Sequence, residues 1–244
     1  MPRFFVGKEN IADGIITVKG DDAFHIARSL RMAVGDGITV SDGDGMDYLC
    51  QLLRIRDDEC ECKILSASRA LTESPVDITL FMAYPKGDKL ETVVQKAVEL
   101  GCARIVPFES SRCIKKPNAE KSDKQTERLL RIAREAAKQC GRAKLPEVTY
   151  PVSFSEMLDR AKASELGLFC YEGESAVTLK TVLDGASDVK SIAVVVGCEG
   201  GFSPDEAELC KGAGLVSVSL GHRILRCETA PSYVLSAISY RFEL

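Results

Sequence analysis

The stretch 194-VVVGCEGGFSPDE-206 decides the fold class of the second half of the chain. The apolar run Ile192–Val196 has the length and composition of a buried strand, and it ends in Gly197. Ser203 then has the character of a helix N-cap, with a proline at the first helical position and Glu206 placed to complete a capping box. The stretch therefore predicts a strand, a glycine-bearing loop and a helix, a junction at which backbone groups often bind a ligand.

The glycine spacing in this loop does not fit the two commonest nucleotide-binding motifs. A dinucleotide site requires G-x-G-x-x-G and a phosphate loop requires G-x-x-x-x-G-K-[ST], whereas this loop has Gly197, Gly200 and Gly201 and no lysine. Glu199 would repel a pyrophosphate, but it suits a ligand that carries a cation or donates hydrogen bonds. Taken alone, the loop is also compatible with a tight structural turn.

Strand and helix patterns alternate along residues 73–244 and predict an α/β domain with a parallel sheet covered by helices. Strands are predicted at 77–84, 104–109, 165–172, 191–197 and 215–221, and helices at 88–101, 121–141, 153–163, 203–214 and 228–241. Residues 1–72 instead contain short β-like segments separated by turns, with one short helix at 21–31, and predict a small β-barrel or β-sandwich. The motif 42-DGDGMD-47 lacks the ligands of a calcium loop and is interpreted as a hairpin turn.

Composition narrows the function classes. The ten cysteines form no CxxC pair and have no histidine nearby, so they predict reduced, buried thiols and no metal site. No run of about 18 apolar residues and no signal peptide is evident, so no membrane association is expected and the expected location is the cytoplasm. The net charge of −4 argues against a uniformly basic nucleic-acid binder, yet residues 112–144 contain eleven lysines and arginines against four acidic residues.

The basic residues in this segment recur at the spacing of one helix face. They are Lys124, Arg128, Arg131, Arg134, Lys138 and Arg142. Apolar residues, Leu129 and Ala133 among them, form the opposite face. A solvated face normally mixes acidic residues among the basic ones, so contact with RNA phosphates is the better interpretation.

A second glycine-bearing loop, 220-LGHRILRCETAP-231, follows another predicted strand. Loops that follow parallel strands emerge at the carboxyl edge of the sheet, where ligands bind. Arg223 and Arg226 flank two apolar residues, an arrangement that a purely structural loop rarely has. The two loops together therefore predict one ligand site.

The two loops resemble the paired signature of the SPOUT methyltransferases. Segments of the RsmE branch of that superfamily are similar to 86-KGDKLETVVQKAVELG-101, 104-RIVPFESSRC-113 and 134-REAAKQCGRAKLPEV-148. The PUA-like RNA-binding domain of the same branch resembles 3-RFF-5 and 25-HIARSLRMAVGDGITVSDGDGMDY-48. The chain departs from the pattern at Cys198, where many relatives have proline.

This resemblance implies a PUA-like β-barrel over residues 1–72 and a SPOUT domain with a C-terminal trefoil knot over 73–244. It also implies S-adenosylmethionine as cofactor, ribosomal RNA within the small subunit as substrate, a homodimer, and methylation of a uridine N3 in 16S RNA. The implied cofactor-binding residues are Val196, Gly197, Glu199, Gly200, Gly201, Leu220, Gly221, Ile224, Leu225 and Arg226. The implied RNA-binding residues are Arg3, His25, Arg28, Arg31, Lys86, Arg128, Arg131, Lys138 and Arg142.

Methyl transfer from a sulfonium requires no metal, and the candidate catalytic residues are Arg226 and Glu199. Arg226 or Arg223 could stabilise charge on a uracil oxygen, and Glu199 and Glu228 are the nearest acidic residues. Glu228 could equally serve as a favourable acid in the first turn of the last helix. Two other function classes stay open: a non-catalytic RNA-binding module, and a SPOUT enzyme that methylates a ribose 2′-hydroxyl of tRNA or rRNA.

Overall fold

The computed structural model describes residues 1–114, 122–174 and 176–244, which form two compact units. The first unit comprises Met1–Glu73 and Ala137–Leu145, and the second comprises Ser74–Ala136 and Pro146–Leu244. The division of the sequence at residue 72 assigns 137–145 to the second domain, whereas this segment belongs to the first unit. The predicted helix start at residue 121, and part of the basic segment 112–144, lie outside the described residues.

The first unit contains a six-stranded sheet in the order β1-β4-β5-β6-β3-β2. The strands are β1 (Arg3–Phe5), β2 (Ile11–Ala12), β3 (Ile15–Lys19), β4 (Gly37–Ser41), β5 (Met46–Ile55) and β6 (Glu59–Arg69). The sheet is antiparallel except for the β1–β4 pair. Alternate side chains enter the core: Ile16 and Val18 of β3 are buried, as a strand with one apolar face requires.

Two short features of this unit differ in how well the sequence predicts them. The hairpin turn at 42–47 is confirmed, because Oδ1 of Asp42 accepts hydrogen bonds from the backbone N–H groups of Asp44 and Met46 at 2.8 and 3.0 Å. The predicted helix at 21–31 is instead a single α-helical turn, α1 (Asp21–Phe24), which continues as a π-helix over His25–Ser29.

The second unit contains a seven-stranded, entirely parallel sheet in the order β10-β8-β7-β12-β11-β13, with β9 also paired to β8. Its strands are β7 (Asp77–Ala83), β8 (Arg104–Glu109), β9 (Glu147–Val148), β10 (Val152–Ser153), β11 (Leu166–Cys170), β12 (Ser191–Val196) and β13 (Val216–Val218). Its helices are α2 (Lys89–Glu99), α3 (Ser122–Cys140), α4 (Phe154–Ala161), α5 (Leu179–Gly185), α6 (Pro204–Gly212) and α7 (Thr229–Phe242). The last residues of α3, from Ala137 onward, belong to the first unit.

The central strands β7 and β12 are buried along almost their whole length, as expected for a parallel sheet covered on both faces. The predicted capping box at the start of α6 is confirmed, with Ser203 and Glu206 exchanging hydrogen bonds with backbone N–H groups. After the edge strand β13 the chain returns to the centre of the sheet, where α7 packs against α2, α5 and β12. Within the described ranges, no helix combines the length and apolar character that a bilayer crossing needs.

Candidate active site

A cavity of about 700 Å³ lies in the second unit, and residues that follow β11, β12 and β13 line it. Strand β11 lies between β12 and β13 in the sheet, so the three loops share one edge. The structure brings together all ten residues of the predicted cofactor-binding set at the walls of this cavity: Val196, Gly197, Glu199, Gly200, Gly201, Leu220, Gly221, Ile224, Leu225 and Arg226. Both candidate catalytic residues, Glu199 and Arg226, belong to that set.

The loop after β11 forms a third wall that the sequence analysis did not identify. Tyr171, Glu172, Glu174 and Thr178 of this loop line the cavity. Backbone hydrogen bonds tie the segment to the end of β13, since Ser219 donates to the carbonyl of Val177 at 2.8 Å. The loop has no repeated glycines, and its position after a predicted strand was the one signal that could have identified it.

Two glycines give the loop after β12 its tight conformation. Gly201 has a φ of +63°, and its backbone N–H donates to the carbonyl of Cys198 at 3.0 Å. A Cβ at Gly201 would lie 2.1 Å from a carboxylate oxygen of Glu172, and a Cβ at Gly197 would lie 3.0 Å from the ring of Phe202. Gly201 is therefore required by its left-handed backbone, and Gly197 by close packing against Phe202 and the Gly201 backbone.

The side chains of Ser110, Cys113 and Cys198 contact one another where this loop begins. The hydroxyl of Ser110 lies 3.3 Å from Sγ of Cys113 and 3.9 Å from Sγ of Cys198. A hydrogen bond from the Cys198 thiol lowers the pKa of Cys113 to about 6, and the same contact raises the pKa of Cys198. Cys198 thus anchors the loop through its side-chain contacts.

A cluster of opposite charges lies at the cavity wall and joins three separate segments. Nζ of Lys89 in α2 is 2.9 Å from Oε1 of Glu199 and 3.4 Å from Oε2 of Glu228, which precedes α7. The backbone N–H of Lys86 donates to the same oxygen of Glu199 at 3.1 Å. Burial would raise the pKa of Glu199, but the hydrogen bonds from Lys89 and from backbone N–H groups outweigh burial and lower it. Glu199 is therefore an ionised group and a weak base.

Three of the predicted RNA-binding residues are engaged inside the first unit, and for these three the prediction is corrected. Arg142 is 4% exposed and pairs with Glu73, which removes it from the protein surface. Lys138 lies 2.7 Å from Asp22. Arg3 pairs with Asp47, with Nη2 2.9 Å from Oδ2. These ion pairs have less than one fifth of each side chain exposed, so they support the fold and offer little to RNA.

The other six residues of the predicted RNA-binding set are exposed: His25, Arg28, Arg31, Lys86, Arg128 and Arg131. Arg28 pairs with Asp57 and Arg128 with Glu91, both at the surface. His25 and Arg28 lie in the π-helix that continues α1. The π-helix ends at Ser29, and Arg31 lies beyond it with a φ of +51°.

The cysteines do not cluster into a metal site among the described residues. In the described part of the chain, no group of three or more histidine, cysteine, aspartate or glutamate side chains could hold a metal ion. All the cysteines except Cys140 are buried, which agrees with the predicted buried thiols.

Comparison with family models gives two matches. A model described as an RNA methyltransferase domain matches residues 72–239. A model described as an RNA methyltransferase PUA domain matches residues 18–65. The matched ranges coincide with the parallel sheet of the second unit and with the β-rich first unit.

Three relatives illustrate the similarity to individual proteins. The ribosomal RNA small subunit methyltransferase E of Bacillus subtilis (strain 168) is 34% identical over 251 residues, which cover 100% of this chain and 98% of the relative. The enzyme of the same name from Synechocystis is 32% identical, covering 99% of this chain and 78% of the relative. The crystal structure of that enzyme from Neisseria gonorrhoeae, bound to S-adenosyl methionine, has a TM-score of 0.86, 30% identity, and coverage of 98% and 97%.

Proposed function

The chain belongs to the ribosomal RNA small subunit methyltransferase E family, and we propose that it methylates N3 of one uridine in 16S ribosomal RNA using S-adenosylmethionine. The observation that carries the proposal is the convergence of the glycine-bearing loops after β12 and β13 on one cavity of about 700 Å³. That volume is within the range of sites that enclose small molecules. The solved relative from Neisseria gonorrhoeae with S-adenosyl methionine supports the same cofactor.

The cavity suits S-adenosylmethionine in its chemistry as well as its size. Backbone groups of residues 197–201 and 220–225 can hold the adenine and ribose, because the glycines permit close approach. Carboxylates at the walls, from Glu172, Glu174 and Glu199, match a ligand that carries a sulfonium and an ammonium group. When bound, the cofactor supplies an electrophilic methyl group.

The protein's own contribution is to align the uracil and to favour loss of its N3 proton. Alignment of reacting atoms can contribute roughly 7–11 kcal/mol to the lowering of a barrier. Arg226 is exposed in the cavity and can stabilise negative charge on a uracil oxygen. Glu199, whose pKa is lowered, is suited to orienting donors around the base rather than to storing the N3 proton.

Exposed basic residues provide the RNA-binding surface in this proposal. Arg128 and Arg131 stand on the exposed side of α3, opposite the buried Leu129 and Ala133. Such residues contact phosphates and so add affinity without reading sequence. Lys86 has an exposed side chain, and its backbone N–H is bonded to Glu199 at the cavity wall, which supports RNA contact next to the cavity.

The proposal extends to a homodimer, a trefoil knot and a cytoplasmic location. Helix α7 buries Val234 and Ile238 but exposes Tyr233 and Tyr240, which lie two turns apart on one face and suit a subunit interface.

The return of the chain from β13 to α7 is the path in which a knot would form. Small ribosomal subunits, the substrate, are assembled in the cytoplasm of bacteria. Light scattering that gives a monomer mass would contradict the dimer.

The decisive test is the chemical identity of the methylated nucleoside. The purified protein is incubated with small subunits from cells that lack this methylation, and the digested RNA is analysed by mass spectrometry. We expect N3-methyluridine; 2′-O-methyluridine would identify a ribose methyltransferase instead. Calorimetry with S-adenosylhomocysteine tests the cofactor independently, and absence of binding would contradict the assignment of the cavity and favour a non-catalytic RNA-binding module.

A further inference from the structure

Lys89, the first residue of α2, lines the cavity, and its ammonium group is held from two sides. The contacts to Glu199 and Glu228 come from the loop after β12 and from the start of α7. All three side chains are about one third exposed, at 31%, 28% and 30%. The ammonium group is therefore fixed in position and still accessible to a ligand.

One donor of this ammonium group has a poor acceptor. An ammonium carries three N–H donors, and two carboxylates account for two of them. The remaining contact is to Sγ of Cys227 at 3.9 Å, which is a long distance to a weak acceptor. A carbonyl oxygen entering the cavity would replace the sulfur and gain a charge-assisted hydrogen bond.

The two carboxylates beside Lys89 keep its ammonium group protonated. Hydrogen bonding to Glu199, together with the charge of Glu228, raises the pKa of Lys89, so it stays protonated. A hydrogen bond from its own backbone N–H and contact with Lys89 lower the pKa of Glu228. Burial raises the pKa of Cys227 to about 12, so its thiol stays neutral. The two carboxylates thus orient the ammonium group, and the neutral thiol of Cys227 is the weak contact that an entering carbonyl oxygen would replace.

We propose that Lys89 is a catalytic residue whose ammonium group donates to a carbonyl oxygen of the target uracil and stabilises the charge formed when N3 loses its proton. The inference rests on the proposed function. N3 of uracil lies between two carbonyl groups, so the charge of the deprotonated base is shared by both oxygens. A fixed cation at one of them acts where the charge develops, which is the most effective position for electrostatic stabilisation.

The step balances without any further reactant. The N3–H proton is lost to solvent in an equilibrium that precedes methyl transfer, and Glu199 and Glu228 remain ionised beside Lys89. The electron pair left on N3 forms the bond to the methyl carbon, while the carbon–sulfur bond breaks and its electron pair stays on sulfur. The products are N3-methyluracil, the neutral thioether S-adenosylhomocysteine and one proton in solvent.

The dependence of single-turnover methyl transfer on pH tests this role. Rates are measured on unmethylated small subunits from about pH 6 to about pH 9.5 for the wild type, K89M, K89Q and K89R. An adjacent opposite charge moves a pKa by about one to three units. Loss of the ammonium group should therefore raise the pKa of the uracil N3 and move the rising limb of the pH–rate profile by about one to three units towards alkaline pH. At neutral pH the rate should fall by about 10- to 1000-fold.

K89M and K89Q remove the cationic partner of Glu199 and Glu228 and leave the other titratable groups of the cavity in place. These other groups include Tyr171, Glu172, Glu174, His222, Arg223 and Arg226. K89R keeps the charge and should retain most of the wild-type profile. K96M is the matched control, because Lys96 is an exposed lysine on the same helix, paired with Glu99. It should leave the profile unaltered.

Calorimetry with S-adenosylhomocysteine separates the alternatives, and unchanged affinity in K89M and K89Q is expected. Loss of that affinity would overturn the proposal and assign Lys89 to cofactor binding. A K89M or K89Q rate that is reduced by the same factor at every pH would also overturn it, since a merely structural role predicts that result. If the wild type itself forms no N3-methyluridine, the proposed function fails; if it does and the K89M profile is unshifted, only the role of Lys89 fails.

Discussion

Glu73 holds Arg142 inside the first unit through both of its carboxylate oxygens. Oε2 accepts hydrogen bonds from Nε and Nη2 of Arg142 at 3.1 and 2.8 Å. Oε1 accepts from the backbone N–H groups of Ala143 and Lys144 at 2.9 and 3.0 Å. One side chain therefore attaches the segment 137–145 to the unit formed by the first 73 residues.

Replacing Glu73 by Gln should destabilise the first unit strongly. The Arg142 side chain is 5% exposed, so the substitution removes the charge of Glu73 from contact with a buried guanidinium. Breaking such a pair costs about 3–5 kcal/mol. Urea denaturation, with hydrogen exchange of first-unit amides, measures the loss. The exposed pair of Arg128 and Glu91 is the control: Glu91→Gln should cost less than about 1 kcal/mol.

The contribution of Glu73 should also depend on pH. Burial raises the pKa of Glu73, but hydrogen bonds from Arg142 and from backbone N–H groups outweigh burial and lower it below 4.5. Because the folded pKa is the lower one, this stabilisation is present above about pH 4.5 and is lost as the pH falls through the folded pKa. The difference in unfolding free energy between wild type and Glu73→Gln should narrow below pH 4.5, with a slope of at most about 1.4 kcal/mol per pH unit. A constant difference down to about pH 3 would contradict this account.

RNA affinity should depend on the exposed residues of α3 and not on Lys138. Lys124 and Arg131 are exposed, so the double variant Lys124→Ala, Arg131→Ala should weaken binding to small subunits. The slope of log affinity against log salt should fall by about one unit per lost phosphate contact. Lys138→Ala should instead lower the unfolding midpoint and leave the slope unchanged, because Lys138 is engaged by Asp22. An unchanged slope in the double variant would mean that this face of α3 is only solvated.

Gly201→Ala should weaken cofactor binding without unfolding the protein. The left-handed backbone at Gly201 costs a residue with a Cβ about 1–2 kcal/mol, and the new Cβ would meet the carboxylate of Glu172. We expect an affinity for S-adenosylhomocysteine about tenfold lower by calorimetry. Gly212→Ala is the matched control, because a Cβ there meets nothing within 4 Å at the end of α6. Equal affinities in the two variants would disprove the role of the turn.

Elements with a strong pattern of their own were predictable from the sequence. Strand β8 has the predicted bounds of 104–109, and α6 starts at its predicted capping box. The short strands β9 and β10 were not predicted, since two residues carry no periodicity and both depend on pairing with β8. The short helix α5 was missed as well.

The site was predictable only where a local signal marked it. The two glycine-bearing loops were found because each follows an apolar strand at the same edge of a parallel sheet. Lys89 and the loop after β11 were missed, because their places at the cavity depend on a strand order that neighbouring residues do not encode. For the same reason the partner of Lys138 could not be anticipated: Asp22 is 116 positions away in the chain.

During synthesis of the chain, the C-terminal wall of the cavity is the last part of it to be translated. A nascent chain that has exposed β12 possesses the loop of residues 197–201, but it still lacks the wall formed by residues 219–227 and helix α7, which contributes Ala230. Cofactor cannot be enclosed until the C-terminal helix has left the ribosome and packed beside β12. A chain cut before α7 lacks part of the cavity wall and should not enclose the cofactor.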